Sequence, residues 1–412
     1  MIPFEKYQLD NGLTVILQPD ETTPIVAVDI CYLVGSRDEN PNKTGLAHLF
    51  EHLMFGGSKN VLNFDTVLQK AGGENNAFTT VDYTNYYLSL PLKNIETAFY
   101  LESDRMNELA FLQTILDIQK NVVVEEFKQS YLNQPYGDLL FLLKDLAYKV
   151  HPYQWNPIGK SPDHIKSVTM NDVKEFFYTF YRPNNAVLSI AGDIHKFDCK
   201  DLVNKWFGYI PKGNVYERNL PVEPTQSEAR FLEVFRNVPC DCLCKAYKMG
   251  KRTDNDFISI DLVSDILSNG QSSRLQQKLV KSQQLFSSIS SYTTGTLDNG
   301  LFIIIGYLNN GVEITQADMA LMEVLNELKT TKISEYELEK VKNKAETALV
   351  SSEISVQDKA MQLALYETIG QAEDLNLETN KYRAVSQDDI LKACSKLFKA
   401  EQSSTIYYKA KK

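Results

Sequence analysis

Two rhythms of apolar and polar positions run along the chain. One is strand-like. Leu13-Thr14-Val15-Ile16-Leu17 reads as a strand after an Asn11-Gly12 turn, and Ile25-Val26-Ala27-Val28-Asp29-Ile30-Cys31-Tyr32 as the next. Further strands are expected at Tyr86-Tyr87, near Val187, from Cys242, from Leu301 to Tyr307, and near Thr405. The other rhythm is helical. Gly45 to Phe55 carries Leu46, Leu49, Phe50, Leu53 and Met54 with no proline. Asn121 to Gln129 is an apolar run that turns polar at Glu125-Glu126. Two more helices announce themselves by a cap with an acidic residue three positions on, at Thr169/Asp172 and Ser386/Asp389.

The order of these elements recurs. The strand from Ile25 has a counterpart from Cys242. Ala77-Phe78-Thr79-Thr80 and its Tyr86 strand have one in Tyr292-Thr293-Thr294-Gly295 and the Leu301 strand. The two capped helices each lead to an apolar strand. Between the copies, residues 214–228 lose periodicity and gather Pro221, Pro224 and charges, as a linker does. The pattern predicts an α+β protein of two similar halves, each a mostly antiparallel sheet with helices packed on one side. The expected domains are 1–213, a linker at 214–228, and 229–412.

Composition narrows the function classes. A chain of 412 residues suits two domains. A net charge of −10 argues against nucleic acid and is compatible with cationic peptides. No run reaches the apolar length of a membrane span, and the start lacks a basic-then-apolar signal. The expected location is cytoplasmic, or periplasmic if a leader was removed. Cys240, Cys242 and Cys244 alternate as one face of a strand would, and read as small buried residues rather than a soft-metal site.

The candidate chemistry lies in His48-x-x-Glu51-His52. On a helix these three side chains share one face. Two neutral imidazoles four apart can hold one Zn²⁺, and the carboxylate beside them can take a proton from its water. A catalytic zinc needs a third protein ligand, for which Glu125 and Glu126 are candidates. About 100° separates them on a helix, so only one can aim well.

These residues resemble the inverzincin peptidases, the family of pitrilysin, insulysin and mitochondrial processing peptidase, in its short-chain, processing-peptidase-like bacterial branch. The resemblance extends through Gly72-Gly73-Glu74-Asn75-Asn76-Ala77-Phe78-Thr79-Thr80, Asn133-Gln134-Pro135-Tyr136-Gly137, His151-Pro152-Tyr153 and Tyr181-Arg182-Pro183-Asn184-Asn185. It implies zinc on His48, His52 and Glu126, with Glu51 as general base, and two duplicated halves facing one another across a cavity. Where many relatives carry a further glutamate, this chain has Gln119, whose amide can hydrogen-bond but supplies no charge. The resemblance also makes Gly72, Gly73, Asn76, Ala77, Phe78 and Thr79 candidates for contact with an extended peptide. The Gly72-Gly73 pair fits the close approach of another backbone, the alternative being that it only makes the turn before the strand, and Asn76 reads as holding a substrate carbonyl or its own loop.

The second half departs from the family. Its helix at Leu262-Val263-Ser264-Asp265-Ile266-Leu267 has no histidine. Relatives that complete the site within one chain carry an arginine and a tyrosine in a stretch like L-R-x-x-x-x-L-x-Y. Here the altered positions are read as Val280 and Phe286. The expectation is a zinc endopeptidase subunit whose homologous partner supplies the arginine and tyrosine, or otherwise a homodimer. The alternative is a non-catalytic scaffold or peptide-binding protein of the same fold.

Overall fold

The computed structural model describes residues 1–196 and 198–411. Eleven strands form two sheets. The first contains β1 (Glu5–Gln8), β2 (Thr14–Pro19), β3 (Ile25–Tyr32), β4 (Glu74–Thr79), β5 (Thr84–Pro91) and β6 (Ala186–Gly192), in the order β1-β2-β6-β3-β5-β4. The second contains β7 (Arg230–Arg236), β8 (Cys242–Lys248), β9 (Phe286–Thr293), β10 (Leu301–Leu308) and β11 (Ser403–Ala410), in the order β7-β11-β8-β10-β9. Apart from β1 the two orders coincide strand for strand. The parallel pair also recurs in place, β2 with β6 and β7 with β11, while every other pair is antiparallel. The α+β reading of two similar halves therefore holds.

Alternation builds both cores. In the first sheet Tyr32 of β3 and Tyr86 of β5 lie on the face that meets Tyr181, whose ring stacks on Phe50. Phe50 is fully buried, which contributes about 1.5–3 kcal/mol. In the second sheet Leu243 and Tyr247 of β8 join the core made with the helices Phe257–Ser268, Ile314–Thr330 and Gln387–Leu397. Cys242 and Cys244 turn to the other face and are buried. Burial pushes the Cys242 thiol up to about 12 and raises that of Cys244 well above its ordinary value, which suits packing rather than chemistry. Both predicted capping boxes form, Thr169 with Asp172 and Ser386 with Asp389.

The chain does not divide at one linker. One compact unit comprises 1–127, 155–220 and 350–377. The other comprises 128–154, 221–349 and 378–412. The expected contiguous halves are thus each interrupted by a segment of the other. Small residues explain the first exchange. Ala27 and Cys31 on β3, and Val187 and Ala191 on β6, leave room for the helix Val356–Ile369, which presents Val356, Ala360, Leu363 and Ala364 to them. An ion pair fixes its start, Lys359 Nζ donating to Asp20 Oδ2 at 2.5 Å. In the second unit Tyr136 packs on Tyr307 and Tyr408, ahead of the helix Leu139–Ala147. Each sheet therefore carries most of its helices on one face and one further helix on the other.

Candidate metal centre

The helix Leu46–Leu53 buries Leu46, Ala47, Leu49, Phe50 and Leu53, so its opposite stripe carries His48, Glu51 and His52 outward. Gly45 starts it at φ 91°, a left-handed conformation, and a Cβ there would sit 2.7 Å from the Ile158 carbonyl oxygen. With no side chain of its own, Gly45 cannot cap the helix. Glu39 does so instead. Its carboxylate accepts the N–H groups of Gly45 at 2.9 Å and Ala47 at 2.8 Å, and the Trp155 indole N–H at 3.0 Å. Burial pushes the Glu39 carboxyl up to about 8, against the pull of those donors. Sequence reasoning missed Glu39. A readable signal was an acid placed shortly before a helix whose first position is an uncapped glycine.

The third group comes from the helix Gln113–Phe127, which buries Leu116, Val123, Val124 and Phe127. That stripe settles which glutamate turns inward. Glu125 is exposed, whereas Glu126 lies 3.8 Å from His48 Nε2 and 3.6 Å from His52 Nε2, one carboxylate oxygen to each. The two imidazole rings stand nearly perpendicular, centroids 4.9 Å apart. Ligand atoms of His48, His52 and Glu126 all fall within 4.8 Å of one another, the one such group among the described residues.

The electrostatics suit a cation. Burial, then the neighbouring His52, pushes His48 down to about 4, so its imidazole is neutral, as a metal requires. His48 Nδ1 is buried without a hydrogen-bond partner. At 3.6 and 3.8 Å the Glu126 oxygens stand beyond a good hydrogen bond from the two Nε2 atoms, and these nitrogen and oxygen donors match the borderline preference of zinc. Burial raises the Glu51 carboxyl, and the charge of Glu126 raises it further. A hydrogen bond from Thr79 Oγ1 to Glu51 Oε2, at 2.5 Å, opposes both.

The edge-strand candidates separate. β4 pairs only with β5 and closes the sheet order, so its outer side is an open row of backbone groups. Gly72 and Gly73 are required by the fold itself. Gly72 has φ 73°, and a Cβ on Gly73 would lie 2.5 Å from Leu68 Cδ1 and 2.9 Å from the Ser89 carbonyl oxygen. Asn76 Oδ1 accepts its neighbour's N–H, that of Ala77, at 2.8 Å. Phe78 packs edge-on against Tyr83. Thr79 turns toward Glu51 instead of the open edge.

In the second unit Val280 is half-buried and Phe286 fully buried, its ring lying where a Gly306 Cβ would come within 2.6 Å of it. A hydroxyl on that ring would point into the core. The residue that alternation turns outward is the next one, Ser287 of β9, whose hydroxyl donates to the Tyr307 carbonyl. The altered tyrosine position therefore shifts from Phe286 to Ser287, which also restores the L-R-x-x-x-x-L-x-Y spacing from Val280.

Comparison with known proteins matches two family models: insulinase (peptidase family M16) over residues 14–152, and the peptidase M16 inactive domain over 167–345. The zinc protease PqqE of Helicobacter pylori is 31% identical over 98% of this chain and 92% of its own length. The beta subunit of the mitochondrial-processing peptidase of Saccharomyces cerevisiae is 25% identical over 84% of the chain and 78% of its own. The crystal structure of a protease from Helicobacter pylori superposes with a TM-score of 0.92 at 30% identity, covering 99% of this chain and all of that one. The inactive-domain model falls on the part of the chain that holds none of the three convergent ligands, and the insulinase model on the part that holds them all. With relatives aligned nearly end to end, the chain is a member of peptidase family M16.

Proposed function

We propose that the protein is a zinc-dependent endopeptidase acting on extended or unfolded peptides, and the catalytic subunit of a two-subunit enzyme. The observation that carries this reading is the convergence of His48, His52 and Glu126 beside a carboxylate, Glu51, that is not among the three. A bound zinc would lower the pKa of water and polarise a carbonyl. His48, His52 and Glu126 would hold it through two nitrogens and one oxygen. Glu51, on the same helix face, takes the proton from the attacking water and returns it to the leaving amine.

The open edge of β4 supports an extended substrate, which would add to the sheet through backbone hydrogen bonds. The Ala77 N–H, now held by Asn76 Oδ1, would become available if that carboxamide turned aside. Val280 and Ser287 support the split site, because neither offers the cationic or phenolic donor that stabilises developing negative charge. A homologous partner supplies those donors, and a homodimer is the competing assembly. Among the described residues no helix is long and apolar enough to cross a membrane.

Glu51→Gln tests the reading. It keeps the helix and the ligands, so zinc content stays near that of the wild type while cleavage of a quenched peptide falls by about 10²–10⁴. Equal cleavage by the variant removes Glu51 from the reaction. Adding a candidate homologous partner tests the assembly. A chain that cleaves as fast alone as in the mixture is not half of a split site.

A further inference from the structure

We infer that Thr79 is a positioning residue, whose hydroxyl sets the orientation of the Glu51 carboxylate and so ties the base to the strand edge that receives the peptide. The inference rests on the peptidase reading above. Its ground is geometric. Thr79 Oγ1 lies 2.5 Å from Glu51 Oε2 and donates to it. Among the described residues that hydroxyl is the hydrogen-bond partner the carboxylate has, leaving the other oxygen without a protein donor.

Thr79 is itself held firmly. It is the last residue of β4, paired with the fully buried Thr84, whose hydroxyl donates to the Val34 carbonyl at 2.9 Å. The turn that follows is closed by Thr80. Its side-chain oxygen accepts the N–H groups of Asp82 and Tyr83, and its hydroxyl donates to the Tyr83 carbonyl at 2.9 Å. Asp82 then pairs with Arg37 at 3.0 Å, both side chains buried. The hydroxyl therefore projects from one of the better-fixed points of the edge strand. Branching at Cβ restricts its χ1 further. Ala77, on the same face of β4, has no polar side-chain atom to replace it.

A carboxylate free to rotate spends part of its time aimed away from the water. A small misplacement of a reacting group costs on the order of 10²-fold. The rival account is that the hydroxyl only satisfies a half-buried acid, in which case the rate does not depend on it.

The test uses the full chain, loaded with zinc, and a quenched peptide that the wild type cleaves. Thr79→Val keeps the branched shape and removes the hydroxyl; Thr79→Ala is the second variant should valine disturb folding. Both are expected to lower kcat by about 10–100-fold with KM within about twofold. Zinc content by metal analysis and the melting temperature stay near the wild type. Thr79→Ser restores most of the rate, since it keeps the donor. Unchanged kcat in both hydroxyl-less variants overturns the inference. So does a loss shared by serine and accompanied by lost zinc, which marks a structural role. If the wild type cleaves no peptide either alone or with a homologous partner present, the peptidase reading falls and this inference with it. If the wild type and Thr79→Val cleave alike, only the inference falls.

Discussion

The helix Leu46–Leu53 and the helix Phe257–Ser268 occupy matching places against matching sheets, yet their polar residues behave in opposite ways. In the second, Asp261 has both oxygens engaged. Thr293 Oγ1 donates to one at 3.2 Å and the Tyr382 hydroxyl to the other at 2.6 Å. Asp265 takes the Asn269 amide at 2.6 Å. In the first, the Glu126 oxygens stop at 3.8 and 3.6 Å from His48 Nε2 and His52 Nε2, beyond a good hydrogen bond. Even the supporting contacts repeat. Thr79 at the end of β4 donates to the first helix as Thr293 at the end of β9 does to the second. Lys120 Nζ donates to the Val168 carbonyl as Lys342 Nζ does to that of Arg383. The duplicated frame is thus indifferent to chemistry. Polar groups that satisfy one another hold a fold together, and polar groups that converge unsatisfied await a ligand.

The strongest way to break this contrast is to exchange a group in each helix. His48→Ala is expected to remove bound zinc and lower cleavage by more than about 10³-fold, while Asp261→Ala leaves zinc stoichiometry unchanged. Metal analysis of both variants decides it, and zinc loss in the second would show the halves to be less independent than their hydrogen bonds suggest. Tyr382→Phe sharpens the other side. It removes a hydrogen bond to a carboxylate and is expected to cost about 1.5–3 kcal/mol in denaturant unfolding without altering zinc content. Thr169→Ala and Ser386→Ala probe the frame itself. Each removes one capping box, and equal losses of about 1 kcal/mol would show that the two copies are built alike in energy as well as shape.

The smallest effect concerns the helix that the first sheet receives from late in the chain. Burial alone would raise the Asp20 carboxyl, but the Lys359 ammonium and the Thr22 groups outweigh it and hold it below the usual range. A carboxyl lowered in the folded state stabilises above its unfolded pKa and loses that contribution as pH falls through the folded value. Asp20→Asn should therefore destabilise by about 0.5–1 kcal/mol at neutral pH, a difference that shrinks toward zero in acid. Melting curves across that range check the sign.

Much of this was legible in the chain. The two capping boxes, the strands β3 and β8, and the helix that carries H-x-x-E-H all rest on local rules, and each took the expected form. Between Glu125 and Glu126 the residues alone left the choice open and the resemblance named Glu126; in the structure the stripe that buries Val123, Val124 and Phe127 leaves Glu125 outside. The misreadings were of register and of distance. Placing the altered tyrosine at Phe286 instead of Ser287 is a slip of one position, and in a strand that exchanges the core face for the outer one. Thr79 entered as a candidate for peptide contact through the resemblance, which does not say where its side chain points. Its own side chain, on the opposite face from Phe78, meets Glu51. The destination of residues 350–377 was not legible at all. Their buried contacts mix Ala360, Ala364 and Ala372 with Val356, Leu363, Tyr366 and Leu375, an apolar stripe that does not say which sheet it meets.

That last segment has a consequence for biosynthesis. The helices that carry His48, His52 and Glu126 are translated early, but the hollow beside Ala27 and Ala191 stays unfilled until the helix Val356–Ile369 has emerged from the ribosome. Native assembly of the first unit therefore waits on residues 350–377. A nascent chain released before them, however complete its H-x-x-E-H motif, would present that apolar hollow to chaperones and proteases.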